Sequence, residues 1–231
     1  LEVLRRHQIS RISINPQTMQ QKTLDCIGRK HTVEDIRQVY AMARELGFEN
    51  INMDLIAGLP GETLDDMKDT LRQIEMFAPD SLTVHALAMK RASRLTQEKR
   101  EGSYQGNDQA DSAAMLSEMI ELAAEYAGKM QLVPYYLYRQ KNIAGNFENV
   151  GYAKVDKAGI YNILIMEEKQ SIVAVGAGAS TKIVLPKEKT LIDEKTGNPK
   201  QIVRTENVKD VEQYINRIDE MIERKGEWLW H

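Results

Sequence analysis

Residues 51–61 read INMDLIAGLPG, an alternating run that stops in a glycine-rich turn. The odd-numbered positions up to residue 55 are apolar, whereas Asn52 and Asp54 lie between them. Because successive side chains of a strand point to opposite faces, this pattern predicts a strand over 51–56 with one polar face. The residues after the turn predict a helix over about 64–77.

Similar segments precede and follow this strand. Residues 9–17 and 82–88 also alternate, and helical patterns lie over about 19–27 and 32–46, the second with Thr32 as its N-cap. The order is therefore β-α-β-α-β. Helices of this length return the chain to the same end of a sheet, so the strands are predicted to be parallel.

Polar residues recur on one face of these three predicted strands. Parallel strands are usually apolar on both faces, so a polar face predicts the lumen of an incomplete β/α barrel that holds a polar ligand. An antiparallel sheet with one solvated face would produce the same alternation and is the open alternative. The polar positions are Arg11, Ser13, Asn15, Gln17, Asn52, Asp54, Thr83 and His85.

After residue 90 the β/α rhythm ends, and the pattern predicts a small α+β domain. We therefore predict two domains, a barrel portion over 1–90 and an α+β domain over 91–231. The predicted elements of the second domain are a helix over about 108–130, strands over 133–138, 160–166, 171–175 and 183–185, a hairpin around 193–199, and a last helix over about 208–225 capped by Asn207.

Composition narrows the class of protein. The 231 residues are 42% hydrophobic and 28% charged with a net charge of −3, which is typical of a globular protein and gives no support for nucleic-acid binding. No apolar run reaches the roughly 20 residues that span a bilayer, and no secretion signal is visible, so we predict a cytoplasmic protein without a membrane partner. The chain starts at Leu1, close to a predicted strand, and we interpret it as part of a longer protein.

The single cysteine, Cys26, limits the metal chemistry of this chain. One thiol cannot form an intramolecular disulfide or a cysteine-ligated zinc or iron–sulphur site, so no metal ligands are predicted here. Cys26 falls inside a predicted helix and is interpreted as a buried apolar residue.

Three segments in the first 61 residues carry a family signature. They are RISINPQ over 11–17, GRKHT over 28–32 and NMDLIAGLPG over 52–61. Arg29 follows Gln17 by 12 residues, and Asp54 follows Arg29 by 25. This arrangement resembles the oxygen-independent coproporphyrinogen III oxidases, a family of radical S-adenosylmethionine enzymes.

Two later segments resemble one branch of that family, the coproporphyrinogen dehydrogenase (HemZ-like) branch. They are PYYLYRQKN over 134–142 and AGNFENVGY over 144–152. The resemblance covers nearly the whole chain. It implies the C-terminal half of a radical-SAM barrel, a partial (β/α) barrel of the α/β class, followed by a small α+β domain.

The resemblance also implies a binding site. Gln17, Arg29, Asp54 and Ala88 would contact S-adenosylmethionine at the carboxyl ends of the barrel strands. A guanidinium suits a carboxylate, and a carboxylate such as Asp54 can accept hydrogen bonds from ribose hydroxyls. Taken singly, Arg29 could be a surface charge, Asp54 a cap or ion-pair partner, and Gln17 a polar strand end.

The implied activity is oxidative decarboxylation of two propionates of coproporphyrinogen III, a step of haem biosynthesis. Enzymes of the family hold a [4Fe–4S] cluster on a CxxxCxxC loop, which this chain does not contain, so the chain alone is predicted to be inactive. A tetrapyrrole substrate and an electron donor are the implied partners, with the oligomeric state open. The alternatives are a related haem chaperone and an unrelated β/α domain that binds a nucleotide or sugar.

Three further features have structural as well as functional interpretations. His85 could exchange protons or be a hydrogen-bonded structural residue. The glycine-rich turn over 176–180 resembles a phosphate cradle, but no helix is predicted after it. An aromatic cluster could contact a tetrapyrrole or pack as an ordinary strand; it consists of Tyr135, Tyr136 and Tyr138 with Arg139 and Lys141.

Overall fold

A computed structural model describes residues 1–87, 109–138, 149–193 and 196–229. Its internal contacts divide the chain into two compact units, Leu1–Ala158 and Gly159–His231. The elements of the first unit are α1 (Glu2–Arg6), β1 (Arg11–Gln17), α2 (Gln21–Cys26), α3 (Val33–Glu45), β2 (Asn50–Ala57), α4 (Leu64–Phe77), β3 (Ser81–Ala86), α5 (Gln109–Lys129), β4 (Val133–Tyr138) and β5 (Asn149–Ala153).

The first unit contains a five-stranded sheet in the order β1-β2-β3-β5-β4. The β1–β2 and β2–β3 pairs are parallel, which confirms the predicted arrangement and shows that the antiparallel alternative is wrong for these strands. β5 adds antiparallel to β3, and β4 adds antiparallel to β5. The sequence did not predict β5 as a strand, nor the short helix α1 before β1.

Two capping boxes set the starts of the helices between the parallel strands. The Thr32 hydroxyl accepts a hydrogen bond from the Asp35 backbone and the Asp35 carboxylate accepts one from the Thr32 backbone, as predicted for α3. Thr63 and Asp66 do the same for α4, which begins and ends where the sequence predicted. Each box satisfies backbone donors that a helix start otherwise leaves unpaired.

The two faces of the sheet differ in polarity. One face packs its apolar side chains into the core with buried residues of α3, α4 and α5, so burial of this face stabilises the unit. The opposite face carries Ser13, Asn52, Asp54 and Thr83, whose side chains bond to one another. The apolar face consists mainly of Ile12, Ile14, Ile51, Met53, Leu55, Leu82, Val84 and Ala86.

A cluster of charged side chains around Asp80 lies at the amino ends of β2 and β3. The buried Asp80 carboxylate accepts hydrogen bonds from the Ile51 backbone N–H at 3.0 Å, from Arg44 at 2.8 Å and from Lys154 at 3.2 Å. Burial acts to raise the pKa of Asp80, but the Ile51 N–H and the Arg44 guanidinium outweigh it and hold the pKa below its usual range. This carboxylate therefore links β2, α3 and the chain after β5.

The second unit is built from short elements. β6 pairs antiparallel with β9, and β7 pairs antiparallel with β8, which confirms the predicted hairpin. Its elements are α6 (Ile160–Met166), β6 (Ser180–Val184), a 3₁₀ turn (Lys187–Lys189), β7 (Leu191–Ile192), β8 (Pro199–Lys200), β9 (Ile202–Glu206), α7 (Val211–Asn216) and α8 (Ile218–Leu229).

Several predictions for the second unit are wrong. The run 160–166 forms helix α6 instead of a strand, because a short apolar run has no decisive period. Residues 171–175 contribute only an isolated bridge, from Ile172 to Lys182. The last helix is split at Arg217, and its cap is Asp210, because the predicted cap Asn207 is buried and donates to the Gly176 carbonyl.

The boundary at residue 90 also differs from the contact division after Ala158, because β4 and β5 complete the sheet of the first unit. The assignment of 1–90 and 91–231 to two family domains stays a prediction.

Cys26 ends the short helix α2 and is exposed, so its interpretation as a buried residue is wrong. Among the described helices, none is long and apolar enough to cross a lipid bilayer.

Candidate functional site

Gln17 and Asp54 lie at the same level near the carboxyl ends of adjacent parallel strands. Gln17 pairs in register with Leu55, the residue after Asp54. The register shifts between Ile14 and Gln17, and Gln17 has a positive φ of 69°, which is uncommon for a residue other than glycine. Its side chain is buried and its amide donates to the Asn15 carbonyl at 3.4 Å.

Asn52 is the centre of a hydrogen-bonded network on the polar face. Its amide donates to the Ser13 hydroxyl at 2.8 Å and to the Asp54 carboxylate at 2.6 Å. Its carbonyl accepts from the Thr83 hydroxyl at 3.1 Å. Three neighbouring strands thus contribute to one polar surface, and the network fixes the orientation of the Asp54 carboxylate.

Asp54 is neither a helix cap nor an ion-pair partner within the described residues. It lies inside β2, half-buried, and none of the described lysine or arginine side chains comes within ion-pair distance of it. Its Oδ1 accepts from Asn52, and no described side chain bonds to its Oδ2. A carboxylate held in this way can accept a hydrogen bond from a hydroxyl group of a ligand.

His85 and Tyr136 extend the polar face beyond Asp54. Burial lowers the pKa of His85, and the nearby Asp54 carboxylate opposes this effect. Burial raises the pKa of Tyr136, against the effect of its hydrogen bond with Thr83. Both shifts favour the uncharged ring, so the two residues present neutral hydrogen-bonding groups on this face.

Gly151 allows the Tyr136 ring to lie on this face. Thr83 pairs with Gly151 across one strand pair and Tyr136 pairs with Gly151 across the next, so the three residues form a row. A Cβ atom at Gly151 would come within 3.0 Å of three atoms of the Tyr136 ring. The missing side chain of Gly151 leaves the space that the ring occupies.

We expect Gly151→Ala to lower the free energy of unfolding by about 1–2 kcal/mol, because the displaced ring costs more than the alanine gains in chain entropy. Thermal or urea unfolding measures the change. The same substitution in a Tyr136→Ala background should be neutral, since the clash is then gone. Gly128→Ala in α5, where no atom lies within 4 Å of the added Cβ, is the control and should be neutral or stabilising. Equal losses with and without the Tyr136 ring would contradict this account.

Arg29 is not part of the network in the structure. It is exposed, and within the described residues its guanidinium makes no hydrogen bond or ion pair. Its segment does lie near the end of β1, because a ring nitrogen of His31 is 3.4 Å from the Pro16 carbonyl oxygen. Ala88 lies outside the described residues, as do Arg139 and Lys141 of the aromatic cluster.

The structure also locates features that the sequence did not assign to the site. Glu62 is buried beside the loop after β1, although it reads as an ordinary turn residue. The close contact between Gly151 and Tyr136 could have been suspected from the sequence, because a glycine inside an apolar alternation often marks a close approach. The strand that contains Gly151, β5, was not predicted. The turn over 176–180 is followed directly by β6, so no helix start is available there for a phosphate.

No group of three or more His, Cys, Asp or Glu side chains suited to a metal ion occurs within the described ranges. The polar face is instead a set of carboxylate, amide, hydroxyl and imidazole groups. These groups suit an organic ligand with several polar atoms.

The amino-acid sequence was compared with protein families and with known proteins. The profile of the Radical SAM superfamily matches residues 1–74. The oxygen-independent coproporphyrinogen-III oxidase-like protein HemZ of Bacillus subtilis is 43% identical over 229 residues, which are 99% of this chain and 42% of that protein. The heme chaperone HemW of the same organism is 33% identical over 90 residues, 39% of this chain and 24% of that protein.

A solved structure shows the same fold. The coproporphyrinogen III oxidase HemN from Escherichia coli, described as a radical SAM enzyme, superimposes with a TM-score of 0.64 at 18% identity, over 95% of this chain and 45% of that one. The chain spans less than half the length of these relatives. The interpretation as an unrelated β/α domain is therefore wrong: residues 1–74 match the radical SAM superfamily, and the chain resembles its coproporphyrinogen III oxidase-like members.

Proposed function

We propose that this chain is part of a radical S-adenosylmethionine oxidoreductase that converts coproporphyrinogen III to protoporphyrinogen IX. The reaction removes two propionate carboxyl groups as carbon dioxide and leaves two vinyl groups. The observation that carries the proposal is the network around Asn52, which presents Asp54 on the polar face of a parallel sheet beside Gln17. Barrel enzymes build their sites at the carboxyl ends of such strands.

The side chains of the proposed contact residues suit S-adenosylmethionine. Asp54 has an oxygen available to accept from ribose hydroxyls, and Gln17 can donate and accept. Arg29 would reach the cofactor carboxylate from its exposed segment near the end of β1, and Ala88 would border the site after β3. When bound and reduced, the cofactor supplies the radical chemistry that removes a hydrogen atom from the substrate. The residues of this chain bind it, orient it and exclude water.

The residues present do not fit the [4Fe–4S] cluster of the family. The chain has one cysteine, and Cys26 is exposed at the end of α2. Three thiolate ligands would have to come from another part of a longer protein, and we propose that the chain by itself is inactive. An electron donor as partner and a cytoplasmic location belong to the same proposal.

A haem chaperone is the second candidate function. It is favoured by the 33% identity to a heme chaperone over 90 residues. A chaperone would use the same sheet without decarboxylating a porphyrinogen, so product analysis separates the two functions.

The decisive experiment uses the full-length protein, purified without oxygen and supplied with S-adenosylmethionine, a reductant and coproporphyrinogen III. We expect a product that has lost two carboxyl groups, detected by mass spectrometry, together with 5′-deoxyadenosine. Haem binding and transfer without any vinyl product would instead support the chaperone. The Asp54→Ala variant should form less product at a cofactor concentration near the wild-type Kd, whereas Asp25→Ala, which removes an exposed carboxylate, is the control and should form as much as wild type.

A further inference from the structure

Glu62 is a buried carboxyl group at the turn that follows β2. Its exposed fraction is 4%, and none of the described lysine or arginine side chains forms an ion pair with it. A buried carboxyl without a cation is costly unless hydrogen bonds compensate for lost solvation. Burial raises the pKa of Glu62 above its usual range, and hydrogen bonds from Thr18 and Thr23 act in the opposite direction.

The hydrogen bonds to Glu62 have a fixed direction. The Thr18 hydroxyl donates to Glu62 Oε1 at 2.5 Å and accepts from the Gln20 backbone N–H at 3.2 Å. The Thr70 hydroxyl lies 3.3 Å from the Thr18 hydroxyl and accepts from the Met19 backbone N–H at 3.2 Å. Because Thr18 has only one proton, Thr70 must donate to Thr18. The chain of donors therefore ends on Glu62.

These contacts join two loops at the same end of the sheet. Thr18 directly follows Gln17, whose positive φ turns the backbone away from β1. Glu62 directly follows Gly61 in the turn that leaves β2. Thr70 on α4 completes a cluster whose four polar side chains, including Thr23, are all nearly inaccessible to solvent. The cluster thus sets the distance between the loop after β1 and the turn after β2.

We propose that Glu62 is a positioning residue that holds Gln17 and the turn after β2 in the geometry that binds the cofactor, without touching the cofactor itself. This inference rests on the proposed function. Glu62 acts through Thr18: its carboxyl group, on the turn after β2, accepts the hydrogen bond from Thr18 in the loop after β1 and so ties the two loops together. A carboxylate can accept from both Thr18 and Thr23, and an amide in its place would still keep one acceptor oxygen for Thr18.

The test uses the full-length protein with Glu62→Ala, Glu62→Gln, Thr18→Val and Thr18→Ser. Two quantities are measured, the affinity for S-adenosylmethionine by calorimetry and the amide exchange of residues 17–23 in the unliganded protein. We expect Glu62→Ala and Thr18→Val each to weaken binding about tenfold and to speed exchange at Met19 and Gln20. Glu62→Gln and Thr18→Ser should restore most of both, since each keeps the bond between the two side chains.

Lys22→Ala is the matched control. It removes the ion pair at 2.9 Å between the exposed Lys22 of α2 and the partly buried Asp66 of α4, and it should leave both quantities unchanged. A loss of thermal stability in Glu62→Ala with unchanged affinity would show a purely structural role and overturn the proposal. Faster exchange with unchanged affinity would overturn it too. If the wild-type protein does not bind the cofactor, the proposed function fails and this inference fails with it, whereas cofactor binding that Glu62→Ala leaves unchanged overturns this inference alone.

Discussion

Replacing Asp80 by alanine is expected to lower the free energy of unfolding by about 3 kcal/mol, the lower end of the range for breaking a buried ion pair from one side. The substitution removes the acceptor of the Ile51 N–H and leaves the Arg44 guanidinium without its carboxylate. The loss should not exceed this figure, because Arg44 keeps its bonds to the Tyr40 hydroxyl and the Phe48 carbonyl. Urea unfolding followed by circular dichroism measures it.

The effect of Asp80 should depend on pH. Its folded-state pKa lies below the unfolded value, so the stabilisation by the charged carboxylate is complete above the unfolded pKa and is lost as the pH falls through the folded one. The difference in stability between wild type and Asp80→Asn should be constant above about pH 5 and shrink below about pH 4. A difference that grows as the pH falls would contradict this assignment.

Glu125→Ala is the control for Asp80. It removes an exposed ion pair within α5, between Glu125 and Lys129 at 2.7 Å, and should cost less than about 0.5 kcal/mol. If Asp80→Ala costs no more than this control, the cluster at the amino ends of the strands contributes no more than a surface ion pair.

Asp54→Ala in the full-length protein is expected to weaken S-adenosylmethionine binding by about 1.5–3 kcal/mol, or tenfold or more in affinity. The substitution removes a charged acceptor from a half-buried site. The fold should change little, because the Asn52 amide keeps its bond to Ser13 and its carbonyl keeps the bond from Thr83. Calorimetric titration of the cofactor and thermal unfolding without it measure the two effects on one preparation.

Asp54→Asn and Asp25→Ala are the controls for this prediction. The asparagine keeps an oxygen for Asn52 but loses the charge, so it should bind with intermediate affinity. Asp25 is an exposed carboxylate that accepts a hydrogen bond from Gln21, and its removal should leave binding unchanged. Unchanged affinity in Asp54→Ala, together with a large loss of thermal stability, would show that Asp54 is a structural carboxylate.

The parallel core was predictable because its signals are local. The alternation over 51–56 and the caps Thr32 and Thr63 each depend on residues that are neighbours in sequence. The same alternation predicted the polar face, and the structure connects Ser13, Asp54 and Thr83 of that face through Asn52. The roles of Gln17, Arg29, Asp54 and Ala88 stay predictions, because they concern a ligand and not the fold.

The features that sequence reasoning missed depend on distant residues. β5 is a strand because β3 and β4 flank it, and its Gly151 weakens the local strand signal. Turn residues are usually solvated, so nothing in the sequence indicates that Glu62 is buried against Thr18. Cys26 was assigned to the wrong face because α2 is only six residues long, too short for a reliable periodic pattern.

The antiparallel addition of β5 to β3 has a consequence for biosynthesis. Ser81 at the start of β3 pairs with Ala153 at the end of β5. The outer edge of β3 therefore stays unpaired until the ribosome has made β5. At about 5–20 residues per second this interval lasts several seconds. An open strand edge invites pairing with another nascent chain, so aggregation during expression should depend on how quickly β5 arrives and docks. Slow translation between β3 and β5 would prolong the vulnerable period, and chaperones that shield strand edges would reduce aggregation during it.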